Sequence, residues 1–151
     1  MSHWTSDGYV FAPEEEPHKE PRQGAGWIFA TATGHILLVK CARTGKWGFC
    51  KGHREPSDLA LIDTARREAK EELGLTADDY EVASDPFLMI SWSYHVEFRY
   101  ALLKKPVAEL VLQKEEIAEA RLVTIPELRS MAAGDSLNRF TRKWLRLVKD
   151  L

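Results

Sequence analysis

Three glutamates, Glu68, Glu71 and Glu72, lie within five consecutive residues near the middle of the chain. An α-helix turns about 100° per residue, so this spacing places the three carboxylates within an arc of roughly 100°. Like charges four residues apart cost a helix a few tenths of a kcal/mol per pair, and Arg67 relieves only part of this repulsion. A solvated charged face is one interpretation. The other is a site for Mg²⁺, or alternatively Mn²⁺, because such ions favour carboxylate oxygens and keep waters for a phosphate substrate.

A short strand, a turn and a helix must position these glutamates. The run Trp47–Cys50 is typical of a strand and leads into the turn Lys51–Gly52. Helical spacing then extends over Leu59–Leu73, with apolar residues on the face next to the glutamates. These residues are Ile62, Ala65, Ala69 and Leu73. The segment therefore predicts a helix with one acidic edge and one buried edge.

The remaining pattern predicts an α/β domain. Strand-like runs separated by a Thr33–Gly34 turn signal indicate a hairpin, and alternation of apolar residues from Trp92 to Leu102 indicates a strand with one apolar face. At least two strands are expected in the region Glu81–Val111. The other predicted elements are the hairpin strands Gly26–Ala32 and His35–Cys41, and two helices over Ile125–Ala133 and Ser136–Leu151, the second capped by Asp135 or Ser136.

Composition limits the class of protein. A chain of 151 residues with 44% hydrophobic and 29% charged residues fits one domain, which we place at residues 22–151. Residues 1–21 hold Glu14, Glu15, Glu16 and three prolines without periodicity, so we expect a flexible N-terminal arm. The sequence has no apolar run of membrane-spanning length, so we expect no membrane partner and a cytoplasmic location. Cys41 and Cys50 are expected to be buried, reduced thiols. The net charge of −2 gives nucleic-acid binding no support, and the oligomeric state is not indicated.

The glutamates belong to a longer string. Gly52 followed by Arg67-Glu68-Ala69-Lys70-Glu71-Glu72-Leu73-Gly74-Leu75 resembles the Nudix box, Gly-x5-Glu-x7-Arg-Glu-apolar-x-Glu-Glu-x-Gly-apolar. This pattern marks hydrolases of nucleoside diphosphates linked to another group. The resemblance implies a Nudix-type α/β/α sandwich with a mixed sheet and flanking helices. It also implies a metal-dependent pyrophosphatase.

The box is irregular between Gly52 and Arg67, where this chain is one residue longer than the pattern. Asp58 stands in the first glutamate slot when counted forward, and Leu59 when counted back. In the family this residue braces the box arginine. If the extra residue takes Asp58 off Arg67, we expect Asp58→Asn to have a small effect. Cys50 stands where many relatives have proline, which changes the turn and removes no catalytic group.

The resemblance implies a role for each box residue. Glu68, Glu71 and Glu72 would ligate the metal together with the backbone carbonyl of Lys51, and Arg67 would orient the glutamates. Glu71 and Glu72 are also candidate catalytic groups, because the general base in the family lies in the box or on a later loop.

On that later loop the candidates are Glu115 and Glu116. We prefer Glu116, as base and as a further metal ligand, because it lies six residues before Leu122. At that position relatives commonly have a tryptophan or leucine that opens a strand.

The turn Lys51-Gly52-His53-Arg54-Glu55-Pro56 is similar to that of asymmetric diadenosine tetraphosphate hydrolases. The resemblance implies cleavage of diadenosine tetraphosphate to ATP and AMP, with Lys51, His53, Tyr94 and Arg22 as substrate contacts. An aromatic pair of Tyr94 and Trp92 would suit a base, whereas a ring of Lys and Arg would suit an inositol polyphosphate.

Four alternatives stay open. Related turns occur in hydrolases of diphosphoinositol phosphates and of RNA 5′ ends, and an RNA substrate would need a basic surface. The last predicted helix has basic residues on one side, namely Arg139, Arg142, Lys143, Arg146 and Lys149. A nucleoside triphosphate clean-up enzyme is a third reading, and a non-catalytic Nudix-fold binding module is a fourth.

Overall fold

The computed structural model describes residues 3–4, 10–11 and 21–148. Apart from two short paired strands and Pro21, the predicted arm lies outside the described residues. The strands are β1 (His3–Trp4), β2 (Val10–Phe11), β3 (Arg22–Ala30), β4 (Ile36–Cys41), β5 (Trp47–Gly48), β6 (Cys50–His53), β7 (Tyr80–Val82), β8 (Phe87–Ser91), β9 (Tyr94–Leu103) and β10 (Ile117–Val123). The helices are α1 (Leu61–Leu73), α2 (Ile125–Ala133) and α3 (Arg139–Leu147).

Eight of these strands form one mixed sheet. The order is β10-β4-β3-β9-β7, with β5 paired to β4, β6 to β3 and β8 to β9. The long strands β3 and β9 run parallel, and the other pairs in this sheet are antiparallel. The predicted hairpin is confirmed, because Ala30 pairs with Ile36 across the turn. β1 and β2 pair with each other in a separate two-stranded sheet.

The sheet is covered on both faces, and β3 shows why. Successive side chains of a strand point to opposite faces. Trp27 and Phe29 pack in a core with Ala65 and Ala69 of α1, whereas Ile28 packs in a second core with residues of α2 and α3. The predicted α/β/α sandwich with a mixed sheet and flanking helices is thereby confirmed.

Both ends of α1 are fixed by local bonds. At its start, the Asp63 carboxylate accepts a hydrogen bond from the backbone N–H of Ala60 at 3.0 Å. At its end, Gly74 adopts the left-handed conformation with φ of 66°, and its N–H donates to the carbonyl of Lys70. Glycine reaches this conformation without the steric cost of a side chain. The chain therefore turns away directly after the box glutamates.

Two sequence expectations about β-structure are wrong. The run Trp47–Cys50 is split, because β5 pairs with β4 while β6 pairs with β3. Leu122 does not open a strand, since β10 already starts at Ile117 and Leu122 pairs with Leu37 near its end.

Two expectations about element starts are also wrong. The strand expected from Trp92 begins at Tyr94, because Trp92 has a φ of 53° in the turn after β8. The last helix is capped by Asn138, whose Oδ1 accepts from the N–H of Thr141 at 2.9 Å, and not by Asp135 or Ser136. Backbone bonds of Trp47 to Ser136 and Asn138 hold that segment extended against β5, which delays the helix.

Candidate active site

The acidic edge of α1 lies directly over β6. A Cβ atom built on Gly52 would come within 2.1 Å of Cδ and Oε1 of Glu68, so only glycine allows this approach. Burial by the strand raises the pKa of Glu68, and the neighbouring Glu71 adds to this effect. The box glycine therefore makes room for the box glutamate.

Arg67 connects the turn before α1 to two of the glutamates. Its Nη1 donates to Glu68 Oε1 and Glu71 Oε1, each at 3.0 Å, and lies 3.4 Å from Glu55 Oε1. Its Nη2 donates to the backbone carbonyl of His53 at 2.9 Å. The guanidinium thus binds two glutamates and connects them to the end of β6, and its role in orienting them stays a prediction.

Asp58 braces this arginine from the other side. Its carboxylate accepts hydrogen bonds from Arg67 Nε and Nη2, from the Thr64 hydroxyl at 2.8 Å and from the Glu55 N–H at 2.9 Å. The Asp58 side chain is buried. The bonds from Arg67 are the main reason that the pKa of Asp58 is held well below its usual range. The extra residue thus leaves Asp58 on Arg67, so the condition under which Asp58→Asn was expected to have a small effect is not met.

Glu72 occupies a different environment from the other two glutamates. It is 8% exposed, and its Oε1 accepts a hydrogen bond from the Cys50 thiol at 3.3 Å. Burial, and then repulsion by Glu68, raise the pKa of Glu72 to about 8. Without a cation, the protonated form of the Glu72 carboxyl group is therefore favoured at neutral pH.

The three box glutamates line one cavity of about 450 Å³. The same cavity is also lined by the cationic residues Arg43, Lys46 and Lys51. The remaining lining includes polar and aromatic groups, namely His53, Glu55, Arg67, Tyr94, Gln113, Glu116 and Asn138. Such a cavity combines carboxylates suited to a metal with cations suited to phosphate groups.

Three predicted substrate contacts, Lys51, His53 and Tyr94, lie close together in the lining of this cavity. The Lys51 ammonium lies 5.3 Å from the ring centroid of Tyr94 and 5.2 Å from that of Phe140. The His53 ring stacks on Tyr94 at 4.6 Å between centroids. The Tyr94 hydroxyl is buried and has no hydrogen-bond partner among the described residues. Burial and nearby Glu68 raise the pKa of Tyr94 to about 12, so it stays protonated at neutral pH.

Arg22 and Trp92 lie outside the glutamate cavity. Both line a neighbouring cavity of about 300 Å³, together with Arg139 and Phe140. Arg22 reaches the first cavity indirectly, through its guanidinium 5.4 Å from the Tyr94 ring centroid. The predicted aromatic pair of Tyr94 and Trp92 is therefore replaced, in the glutamate cavity, by the stacked pair of His53 and Tyr94.

The two candidate bases on the later loop, Glu115 and Glu116, differ in their position relative to the cavity. Glu116 lines the cavity, whereas Glu115 does not. The Glu116 carbonyl accepts from the Ala42 N–H at 2.9 Å, and the Gln113 N–H on the same loop donates to the carbonyl of Glu72 at 3.0 Å. The loop is thus anchored to the end of α1, although the role of Glu116 as base or ligand stays a prediction.

The sequence model of the NUDIX domain matches residues 20–147. The chain belongs to the Nudix family. It is a Nudix hydrolase, an enzyme of the pyrophosphatase class, and members of this family generally use divalent metals. No curated protein matches the sequence.

Solved structures of other Nudix proteins share the fold at low sequence identity. An Ap4A hydrolase binary complex from C. elegans aligns with a TM-score of 0.66 and 19% identity, over 85% of this chain and 99% of that chain. A MutT protein from Methanosarcina mazei Go1 gives 0.64 and 19%, over 89% and 98%. A Nudix hydrolase from Nitrosomonas europaea gives 0.68 and 18%, over 99% and 85%.

The donor set of this Nudix site suits a divalent cation. Glu72 is buried and Glu68 is partly buried, burial raises the pKa of both carboxyl groups, and their oxygens are hard ligands. In residues 3–4, 10–11 and 21–148, no three His, Cys, Asp or Glu side chains are grouped so that they could hold a metal ion as they stand. Arg67 holds Glu68 and Glu71 in this structure, so an ion has to compete with its guanidinium for those oxygens.

Several Nudix-site residues were missed or underrated from the sequence. Asp58 was underrated because counting residues does not show how a loop folds back. Cys50 was treated as a change in the turn, although its side chain reaches Glu72. Glu55 carried a signal, because it lies in the Lys-Gly-His-Arg-Glu-Pro turn. Asn138 carried none, since only packing of the segment before α3 against β5 brings it to the cavity.

Proposed function

We propose that the chain is a Mg²⁺-dependent pyrophosphohydrolase that cleaves a P–O–P linkage in a nucleoside polyphosphate. The best representative reaction is hydrolysis of diadenosine tetraphosphate to ATP and AMP. One observation carries the proposal: the box glutamates and the cationic side chains Arg43, Lys46 and Lys51 line a single cavity. That arrangement suits a substrate that is both a metal ligand and a polyanion.

Each group has a chemical task in this proposal. Glu68, Glu71 and Glu72 would hold the ion, which supplies polarisation of a phosphoryl oxygen and neutralisation of the leaving phosphate. Glu116 lies on the same cavity and would accept a proton from the attacking water. Arg67 sets the directions of two carboxylates and does not itself need to touch the substrate.

The Lys51–Pro56 segment, which begins within β6, supports the dinucleoside substrate. It places Lys51 and His53 on the cavity, and a lysine is a mobile point charge for phosphate groups. The His53–Tyr94 stack gives the cavity an aromatic surface, which suits a base. An Ap4A hydrolase of C. elegans shares the fold.

A diphosphoinositol phosphate is the second candidate substrate. Arg43, Lys46 and Lys51 all line the cavity, and three cations suit a densely phosphorylated ring. The charge of Lys46 is already paired in part, because its ammonium lies 3.2 Å from Asp135 Oδ2. This pairing weakens the second candidate relative to the first.

The predicted basic side of the last helix gives an RNA substrate little support. Arg139 donates to the Ser91 hydroxyl, Arg142 to Asp135, and the buried Lys143 to the carbonyl of Ile90. These groups hold α3 in place, and phosphate binding would have to break their bonds.

Both cysteines are free, as expected from the sequence, although Cys41 is only half-buried. Free thiols suit a reducing compartment, and a cytoplasmic location is part of the proposal. No helix within the described residues has the length and apolarity needed to span a membrane.

Product analysis of the purified chain tests the proposal. The panel is diadenosine tetraphosphate, nucleoside triphosphates, nucleotide sugars, 5′-triphosphate RNA and a diphosphoinositol phosphate, each with Mg²⁺ and with Mn²⁺. The Glu72→Gln variant is the matched blank for a contaminating hydrolase. ATP plus AMP from the first substrate, at a rate well above the others, is the expected result. Preference for the inositol compound would move the assignment to the second candidate, and no release from any compound would refute the proposal.

A further inference from the structure

The thiol of Cys50 lies against a predicted metal ligand. Cys50 is 2% exposed, Glu72 is 8% exposed, and Sγ lies 3.3 Å from Glu72 Oε1. The two residues are 22 positions apart, so the contact depends on how α1 packs on β6. The Glu72 carboxylate also interacts with the Glu68 side chain, and the Glu72 backbone carbonyl accepts from the Gln113 N–H.

Both ends of this contact are held by backbone structure. Cys50 opens β6 and pairs with Trp27 in the middle of the sheet. Trp27 in turn donates its indole N–H to the carbonyl of Ala65 in α1 at 2.8 Å, which fixes the helix over the strand. The thiol therefore meets the Glu72 carboxylate from a fixed direction.

A thiol acts on a carboxylate differently from a guanidinium. Arg67 holds Glu68 and Glu71 through charged pairs, which compensate part of their negative charge. Cys50 is a neutral, weak donor, so it orients one oxygen of Glu72 while leaving the carboxylate charge available. Partners that orient a metal ligand in this way usually affect metal affinity by about 10- to 100-fold.

We propose that Cys50 is a positioning residue for Glu72 and that its S–H donor raises the affinity of the site for a divalent cation. The proposal rests on the proposed function only in taking Glu72 as a metal ligand. It assigns no contact between Cys50 and the substrate. The alternative role for Cys50 is that of a small apolar group that fills space between β6 and α1.

Three substitutions separate these roles. Cys50→Ser keeps a donor in a smaller side chain, Cys50→Val fills the space without a donor, and Cys50→Ala removes both. We expect Cys50→Ser to keep the Mn²⁺ dissociation constant within a factor of about three of wild type. We expect Cys50→Val and Cys50→Ala to raise it about tenfold. A packing role would instead leave the valine variant close to wild type.

The measurement is Mn²⁺ binding to the full chain without substrate, by electron paramagnetic resonance of the free ion. Glu72→Gln is the reference for loss of the ligand, and Glu81→Gln, at an exposed residue, is the reference for an unrelated glutamate. Urea unfolding of each variant shows whether it is folded. If either the valine or the alanine variant does not fold, comparison of the serine variant with the other one still shows whether the hydrogen-bond donor matters for Mn²⁺ binding.

A second readout follows the hydrogen bond itself. The infrared S–H stretch of Cys50, isolated as the difference between wild type and Cys50→Ser, should shift in Glu72→Gln and again when Mg²⁺ is added. A packing role predicts no shift in either case.

Equal Mn²⁺ affinity in all variants, or a serine variant as weak as the alanine variant, would overturn the proposal. These results are independent of substrate assignment. The wild type could hydrolyse no compound of the panel while the Cys50 variants still bind Mn²⁺ in the expected order, with serine tighter than valine and alanine. In that case only the proposed function fails. If the wild type hydrolyses its substrate but all Cys50 variants have the same Mn²⁺ dissociation constant, only the role of Cys50 fails.

Discussion

The Asp58 carboxylate accepts hydrogen bonds from two nitrogens of Arg67, from Nε at 3.2 Å and from Nη2 at 2.9 Å. Asp58 therefore binds Arg67 in place of the glutamate that the Nudix box usually has at this point. The chain is one residue longer here and the acidic side chain is one methylene shorter. Bonds from Thr64 and Glu55 complete the brace. The irregular box thus keeps its arginine in place with a different residue.

Replacing Asp58 by asparagine should damage both stability and turnover. The variant keeps the size of the side chain but leaves Arg67 facing a neutral amide, and one amide hydrogen must point at a donor. We expect the free energy of unfolding to fall by about 2 to 4 kcal/mol, from the usual cost of breaking a buried charged hydrogen bond. Turnover should fall about tenfold or more, because Arg67 also orients Glu68 and Glu71.

Urea unfolding and steady-state hydrolysis check this prediction. Asp85→Asn is the matched control, since Asp85 is exposed and lies outside the cavity. If Asp58→Asn changed the free energy of unfolding and the turnover no more than Asp85→Asn does, the bonds between Asp58 and Arg67 would contribute nothing measurable to either.

Replacing Glu72 by glutamine should remove turnover without unfolding the protein. Burial and Glu68 disfavour the charged form of Glu72, and the substitution puts a neutral side chain of similar size in its place. Stability should therefore stay the same or increase, while the rate should fall about 100-fold or more, as for a catalytic carboxylate. Rate measurements at several Mg²⁺ concentrations, with Glu81→Gln as control, test this expectation. A near wild-type rate would remove Glu72 from the metal assignment.

The stability of the metal-free protein should decrease as pH rises. The pKa of Glu72 is about 8 in the folded protein, against 4.5 for an ordinary glutamate, because of burial and of Glu68. The folded state therefore binds more protons than the unfolded state between these values. By linkage, the contribution of Glu72 to stability is complete below about pH 4.5 and is lost as pH rises through about 8.

Urea unfolding in the presence of EDTA, from pH 5 to pH 9 in roughly unit steps, measures this dependence. Glu72→Gln should flatten the profile in part, because Glu68 shifts in the same direction. Added Mg²⁺ should stabilise the wild type more at the alkaline end. A variant profile parallel to that of wild type would contradict the assignment of the slope to Glu72.

Glu116 and Glu115 form a matched pair for testing the base. Only Glu116 lines the cavity, so Glu116→Gln should lower the rate by about 100-fold if it accepts the proton of water. Glu115→Gln should stay within about twofold of wild type, because surface substitutions rarely act further. The pH dependence of the rate separates a base from a binding group, since loss of a base removes its acidic limb. Equal rates for both variants would return the role of base to a box glutamate.

Local patterns in the sequence were enough to predict the acidic edge. Glu68, Glu71 and Glu72 follow one another within a turn and a half, so helical periodicity alone places them together. The end of α1 at Gly74 and the β3–β4 hairpin are similarly local, because glycine conformation and alternation fix them within a few residues. The longer box pattern then identified the family.

Contacts between distant residues were decided by tertiary structure. Cys50 meets Glu72 only because α1 packs on β6, and His53 meets Tyr94 only because β6 and β9 both pair with β3. The cap of α3 moved to Asn138 because the preceding segment is bound to Trp47, 91 positions earlier. The sequence by itself determined which carboxylates form the acidic edge, since a helix has a fixed rotation per residue. Only the folded chain decided which groups orient them, because loop paths and sheet partners depend on the packing of the whole domain.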